Sequence, residues 1–395
     1  MIQQRLLLCC TGSPKWNRFI AICCVFGEQG SVLLETFKNC AVSLDRPSPY
    51  EKDLTMFSPK KNVSLATRSA LVLSAALSCA AIPAIAQNCS IIDLGRLPGA
   101  TVTLANGINN NGQIVGVSGP HAFLYDSGTM KDLGTLGGAT SYAYGINLES
   151  QIIGYADTAA GTTHAFLSDH GTMTDLGTLG GSNSYAYGIN DLGQIVGQSQ
   201  TASGSYHAFL YQGGSMTDLG SLPGDNSIAY RINNSGQIVG SSYINATDFH
   251  PFLYDNGVMK DLGVPAGMVD GEAFSINAGG TVVGYSENAD ASMVRGLTYD
   301  SGTLNNLGTL GANASFASDI NEAGNIVGYS TLLNGNTHSL LFEPTITYDL
   351  GTLPKGTFSY ALGINANNLV VGFAGDSKGN AQAFKCQARL AHDED

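Results

Sequence analysis

The chain has 395 residues, 50 of them glycine, with 31 Asp/Glu against 18 Lys/Arg and a formal net charge of −13. That charge is divided unevenly: residues 1–86 carry nine basic and five acidic side chains, residues 87–395 nine basic and 26 acidic, a net of −17. So acidic a second part repels nucleic-acid phosphates and anionic lipid headgroups, which excludes nucleic-acid binding.

Residues 1–55 hold Cys9, Cys10, Cys23, Cys24, Cys40 and the only tryptophan, Trp16, without any period. Neither cysteine pair has the two-residue gap of a zinc or redox site. Two readings stand: an over-extended start with Met56 the true first residue, or a membrane-associated leader. Residues 56–86 have the form of a secretory signal. Lys60, Lys61 and Arg68 precede an apolar run from Ala70 to Ile82, and Ala84-Ile85-Ala86 supplies the small-x-small cleavage pattern. The run is short and small-residue-rich, which suits cleavage better than spanning a bilayer. A lipoprotein reading through Cys79 meets a poor lipobox in Ala76-Leu77-Ser78. The expectation is an exported chain with no membrane insertion after cleavage, free in the medium or held at the cell surface.

From there one phrase, Ile-Asn-x-x-Gly-x-Ile-Val-Gly, recurs seven times, starting at Ile108, Ile146, Ile189, Ile232, Ile276, Ile320 and Ile364. Starts 38 to 44 residues apart mark an array of one supersecondary unit. Within the copy Tyr185–Gly220, four β-rich runs alternate with Gly/Asn/Asp turns: 185–189, 194–197, 207–211 and 214–220. Four short strands in about 43 residues is the size of one propeller blade. The predicted fold is therefore all-β, a seven-repeat β-propeller of four-stranded blades over residues 87–388, followed by an acidic tail at 389–395. Ala occupies one first-strand position in every copy (Ala105 to Ala361), where only a small side chain fits. The Asn after each Ile is expected to bond its own turn. Gly112 and its equivalents suit left-handed backbone, with Ser150 and Asn368 replacing Gly in two copies.

His-Ala-Phe-Leu-Tyr at 121–125, Asp-Leu-Gly-Thr-Leu-Gly-Gly at 132–138 and 175–181, and the Gly-Ile-Asn phrase resemble the bacterial HAF-family extracellular repeats. The likeness covers about 89–386, with later copies departing at Arg295-Gly296-Leu297 and Gln382-Ala383-Phe384. It implies an exported repeat protein and brings no catalytic residues to carry over.

Two cysteines, Cys89 and Cys386, bracket the repeats. Their register places them beside the one hairpin turn that the chain ends interrupt. If Ser90–Leu94 pairs with Ala383–Lys385, strands from both ends complete the last unit and a disulfide replaces the turn. Export supplies the oxidising conditions. Closing so long a loop stabilises by roughly 4–5 kcal/mol in the chain-entropy model.

His121, His164, His207, His250 and His338 recur once per unit and are expected to bond within their own blades, since equivalent outer positions diverge from the axis and cannot share a metal. Asp132, Asp175, Asp218, Asp261 and Asp349 suit caps on the blade-to-blade turns. No EF-hand loop, phosphate cradle or Ser-His-Asp set appears, so no catalytic, cofactor or metal residue is assigned. Recognition is expected on the variable second-to-third-strand loops 198–206, 241–249, 285–294 and 329–337. At one first-strand position where four copies have Gly, Arg231 and Asp319 stand as ligand-binding candidates, or as solvated departures from the repeat. The functional expectation is a non-catalytic module recognising glycans, envelope polymers or cell-surface proteins. The alternatives are a secreted polysaccharide-active enzyme with carboxylates at the propeller axis, and a self-associating matrix protein.

Overall fold

A computed structural model describes residues 85–86, 89–343 and 347–388. The expected leader, almost all of the signal segment and the acidic tail lie outside these residues.

Each sequence copy folds as an antiparallel meander. Copy one comprises β3 (Thr103–Ile108), β4 (Ile114–Ser118), β5 (His121–Asp126) and β6 (Thr129–Asp132), after β1 (Ile85–Ala86) and β2 (Ile92–Asp93). Copy two comprises β7 (Gly137–Ile146), β8 (Ile152–Thr158), β9 (Thr163–Asp169) and β10 (Thr172–Asp175). Copy three has β11 (Gly180–Ile189), β12 (Ile195–Thr201), β13 (Tyr206–Gln212) and β14 (Ser215–Asp218). Copy four has β15 (Ser227–Ile232), β16 (Ile238–Tyr243), β17 (Phe249–Asp255) and β18 (Val258–Asp261). Copy five follows with β19 (Asp270–Ile276), β20 (Val282–Glu287), β21 (Val294–Asp300) and β22 (Thr303–Asn306). Copy six runs through β23 (Gly311–Ile320), β24 (Ile326–Leu332), β25 (Thr337–Phe342) and β26 (Thr347–Gly351). Copy seven supplies β27 (Ser359–Ile364), β28 (Leu369–Gly375) and β29 (Ala381–Gln387).

The fold is an all-β propeller of small four-stranded antiparallel blades. The expectation of seven separate blades needs correction: five sheets stand alone, and the strands of copies five and six share a nine-stranded sheet with β1. The cause is local. β21 and β23 approach closely enough for one parallel pairing, Val294 with Ala314, which fuses two antiparallel sets. At the other edge β1 pairs in parallel with β26. Ile85 and Ala86 are the last two residues of the expected signal segment, so a cut after Ala86 would remove that strand and leave the meanders intact.

Steric fit explains the repeated Ala and Gly. Each conserved-position Ala lies opposite the Gly of Ile-Val-Gly in the next strand, as Ala229 lies opposite Gly240. A Cβ on Gly240 would fall 1.8 Å from the Ile228 carbonyl oxygen, so nothing larger fits. Just after that Ala, each first strand carries a β-bulge, between Ala229 and Arg231 in copy four. The turns after Ile-Asn take positive φ at Gly112 (79°), Ser150 (64°) and Asn368 (57°), as the sequence implied.

The Asn of each Ile-Asn does more than the expected turn cap. Asn109 Oδ1 accepts from the Asn111 and Gln113 amides, and its Nδ2 donates to the Asn147 carbonyl of the next copy at 2.9 Å. The bond repeats from Asn147 to Asn190, Asn190 to Asn233, Asn233 to Asn277, Asn277 to Asn321 and Asn321 to Asn365. Asn365 then donates to the Asn109 carbonyl at 3.1 Å, and the circuit closes on itself. First strands of successive copies pack side by side in the same order, β3 on β7 through to β27 on β3. The hydrophobic core lies between copies: Val371 and Ala383 of copy seven pack with Ala105, Ile114 and Phe123 of copy one.

The chain ends meet as expected. β2 pairs antiparallel with β29, Ile92 opposite Lys385 and Asp93 opposite Phe384. Cys89 and Cys386 are joined as a disulfide with Cα atoms 5.8 Å apart.

Candidate functional site

The recurrent polar residues are occupied by the fold. His121 Nδ1 bonds Asp132 at 2.7 Å, and the same carboxylate accepts the Gly134 N–H at 2.7 Å. The pairing recurs at His164–Asp175, His207–Asp218, His250–Asp261 and His338–Asp349. Each pair lies within one copy, so the histidines do not converge, and among the described residues no group of His, Cys, Asp or Glu is placed to hold a metal. Histidine and aspartate, read separately from the sequence, are two halves of one turn-capping contact.

Chemistry gathers instead where copies four to six depart from the repeat. Arg231, Ser275 and Asp319 occupy the position that is Gly107, Gly145, Gly188 and Gly363 elsewhere. Arg231 Nη2 donates to Asp319 Oδ1 at 3.0 Å, across 88 residues of sequence. Ser275 Oγ donates to the same oxygen at 2.6 Å, and Asp319 Oδ2 accepts the Ile364 N–H at 3.0 Å. Asp319 is only 7% exposed. The two sequence candidates are thus brought together as an ion pair, with Arg231 partly exposed and Asp319 buried. The layer stands one residue before the Ile of each Asn turn, at the tight-turn end of the ring interior.

Three residues nearer the long loops lies Glu272, which sequence reasoning passed over. Its equivalents are Leu104, Tyr142, Tyr185, Ile228, Phe316 and Tyr360, so it is the one carboxylate in an apolar column. It sits cross-strand from Tyr285 and is bonded by the Tyr230 hydroxyl. Burial, then repulsion from Glu287 and Asp270, raises its pKa to about 7 despite the Tyr230 bond. Glu287 is also raised, by burial and by Asp270, its cross-strand neighbour beside the long loop. Burial raises Asp270 too, although its Oδ1 accepts the Phe249 N–H at 2.9 Å. Tyr230 and Tyr285 are held well above the ordinary tyrosine value by burial and by Glu272.

Around these groups runs a continuous arc of aromatic rings. Tyr142 stacks on Tyr155, Tyr155 contacts Tyr144, and Tyr144 meets Tyr187 edge-on at 5.3 Å. The chain continues through Tyr230, Phe274, Tyr285, Phe316, Tyr329, Tyr360 and Phe373. Copy one interrupts it, having Leu104, Asn106 and Val117 at these positions. Most of the rings are half-buried, and Tyr187 and Phe373 are buried.

Glu272 couples stability to pH. The unfolded carboxyl ionises near pH 4.5 and the folded one near 7, so between those values the unfolded state binds fewer protons and the fold loses stability as pH rises. Glu272→Gln is expected to leave urea stability near pH 4.5 unchanged and to raise it by about 2–3 kcal/mol near pH 8, allowing for partial exposure. Equal gains at both pH values would show that burial of the charge is not the cause.

No family model matches the chain, and no curated protein matches it. Among solved structures it is similar to TolB from Agrobacterium tumefaciens, at 14% identity and TM-score 0.44, over 57% of this chain and 91% of that one. It is also similar to the extracellular domain of the one-component system BT4673 from B. thetaiotaomicron, at 11% identity and TM-score 0.49 over 76% of this chain, which spans 40% of that structure. A third likeness, at 11% identity and TM-score 0.37, is to a gluconolactonase from Xanthomonas campestris, over 78% of this chain and 98% of that one. Likenesses this distant say nothing of activity.

Proposed function

We propose that the chain is an exported, non-catalytic binding module of the HAF-repeat type whose seven copies form one ring. Its inner arc over copies four to six takes a group carried on a glycan, another envelope polymer or a cell-surface protein. One observation carries this reading: Arg231, Glu272, Ser275 and Asp319 all break the repeat within one stretch of the inner strands, beside half-buried aromatic rings. Four copies close with glycine at the Arg231 position and six do without a carboxylate at 272, so the fold requires neither charge. The closed Asn circuit supports a count of seven, and Lys60 to Ala86 support export. Aromatic faces stack on sugar rings and hydrophobic groups alike.

The test is binding of the full chain to a panel of envelope polysaccharides, with released product assayed in the same wells. Saturable binding without product is expected, weakened at least tenfold (about 1.4 kcal/mol) by Tyr230→Leu or Phe316→Leu. Product formation would favour a second reading, a polysaccharide-active enzyme with Glu272 as proton donor, since a carboxyl with a pKa of about 7 is suited to general acid work. Against that reading, Asp270 and Glu287 lie in the same copy as Glu272 instead of facing it across the ring. Absence of both binding and product would point to a protein partner or to self-association.

A further inference from the structure

We propose that the group taken by the inner arc is an alkylammonium, seated against the ring faces of Tyr230, Phe274 and Tyr285 with Glu272 as its counter-ion. The inference rests on the reading of this arc as the binding surface and names the chemistry it selects.

Aromatic faces carry negative quadrupole charge and attract cations, most strongly where water is excluded. Tyr230 and Phe274 meet edge-on at 5.4 Å, and Phe274 lies 5.5 Å from Tyr285; Tyr230 bonds Glu272 and Tyr285 lies cross-strand from it, so the carboxylate stands beside this run of rings. The groups facing Glu272 are Tyr230 of copy four (itself bonded to Ser241), Tyr285 and Glu287 of β20, and Asp270 of its own strand. None is basic. Among the described residues no Lys, Arg or His forms an ion pair with Glu272 or Glu287, and Arg231, on the strand next to Glu272, is bonded to Asp319. A carboxylate beside aromatic rings without a cation is a poor site for an anionic group. For a neutral sugar it is an unnecessary cost, since the other copies present Tyr, Phe, Leu or Ile there. An ammonium meets both the charge and the ring faces.

The proton linkage has a definite sign. A bound cation favours the ionised carboxylate, so binding releases a proton from Glu272, and affinity for a permanent cation rises with pH through about 7.

The probe is choline, whose charge is fixed, against its uncharged isostere dimethylbutanol, measured by calorimetry on the full chain at about pH 5.5 and 8.5. Choline is expected to bind roughly tenfold more tightly than the isostere at the higher pH, and roughly tenfold more tightly there than at the lower. Glu272→Gln should remove the pH dependence and the preference for choline over the isostere. Glu272→Ile, which copies the residue of copy four, should do the same and guards against a defect peculiar to the amide. Equal affinity for choline and isostere, or a pH-independent choline affinity, overturns the proposal. If polymer binding is lost in Tyr230→Leu yet choline neither binds nor competes, the arc remains the binding surface and only the ammonium assignment falls. If neither polymer nor choline binds, the ammonium assignment and the polymer-binding reading of the arc both fall.

Discussion

Reduction of the Cys89–Cys386 bond is expected to lower the melting temperature of the chain by roughly 5–10 °C, the equivalent of about 4–5 kcal/mol. The bond closes a loop of 297 residues, which takes in every copy of the repeat. Without it the unfolded chain regains the freedom of its ends, and the backbone pairing of the two ends in the native ring rests on β2. That strand is two residues long, with one further backbone bond from the Leu94 N–H to the Ala383 carbonyl at 2.9 Å. Cys386 is fully buried and packs with Phe384, Val370 and Ala361. Its replacement by Ser would therefore add a buried polar group, and Cys89→Ala with Cys386→Ala is the cleaner variant. The double variant and the reduced wild type should melt together. A melting curve unmoved by reductant, with both thiols reactive in the folded protein, would show that the ring does not depend on the bond.

Asp319→Ala is expected to cost about 3–4 kcal/mol. The carboxylate satisfies three donors at once: the Arg231 guanidinium, the Ser275 hydroxyl and the Ile364 amide. Truncation leaves a partly buried guanidinium unpaired beside a hydroxyl with almost no access to water. Arg231→Gly with Asp319→Gly should recover much of that loss, because Gly107, Gly145, Gly188 and Gly363 show that the ring closes with glycine at this position. The added backbone freedom costs about 0.5–1 kcal/mol per glycine. Chemical denaturation of the two single variants and the pair measures the coupling. Additive losses would mean that Arg231 and Asp319 act independently and that the contact across the ring contributes little.

How much of this was legible beforehand depends on whether a feature repeats. Strand order, the turn glycines, the Ala–Gly contact and the pairing of the two ends all follow from comparing equivalent positions in seven copies. The amide of Asn109 was readable as a turn cap. Its second bond, to Asn147 of the next copy, was not, because a period reveals equivalence and not adjacency. Arg231 and Asp319 stood out as departures, yet nothing in the sequence shows that side chains 88 residues apart meet across a ring. Glu272 left a clear signal that went unread: one carboxylate in a column of Leu, Tyr, Ile and Phe. Fusion of copies five and six through Val294 and Ala314 has no such signal, since it arises from how closely two strands happen to approach.

The Asn circuit has a consequence for the topology of the chain. Each amide reaches forward to the next copy in one rotational sense, and the bond from Asn365 to Asn109 is equivalent to the other six. Viewed from these bonds the ring has no beginning. The seam where the polypeptide enters and leaves involves β2 and β29, away from the first strands that carry Arg231, Glu272 and Asp319. A circularly permuted chain, opened at a long loop and joined through the present seam, would retain every bond of the circuit and the same inner surface. Architecture and chain order are thus separable here, and the departures in copies four to six give an otherwise cyclic object its orientation.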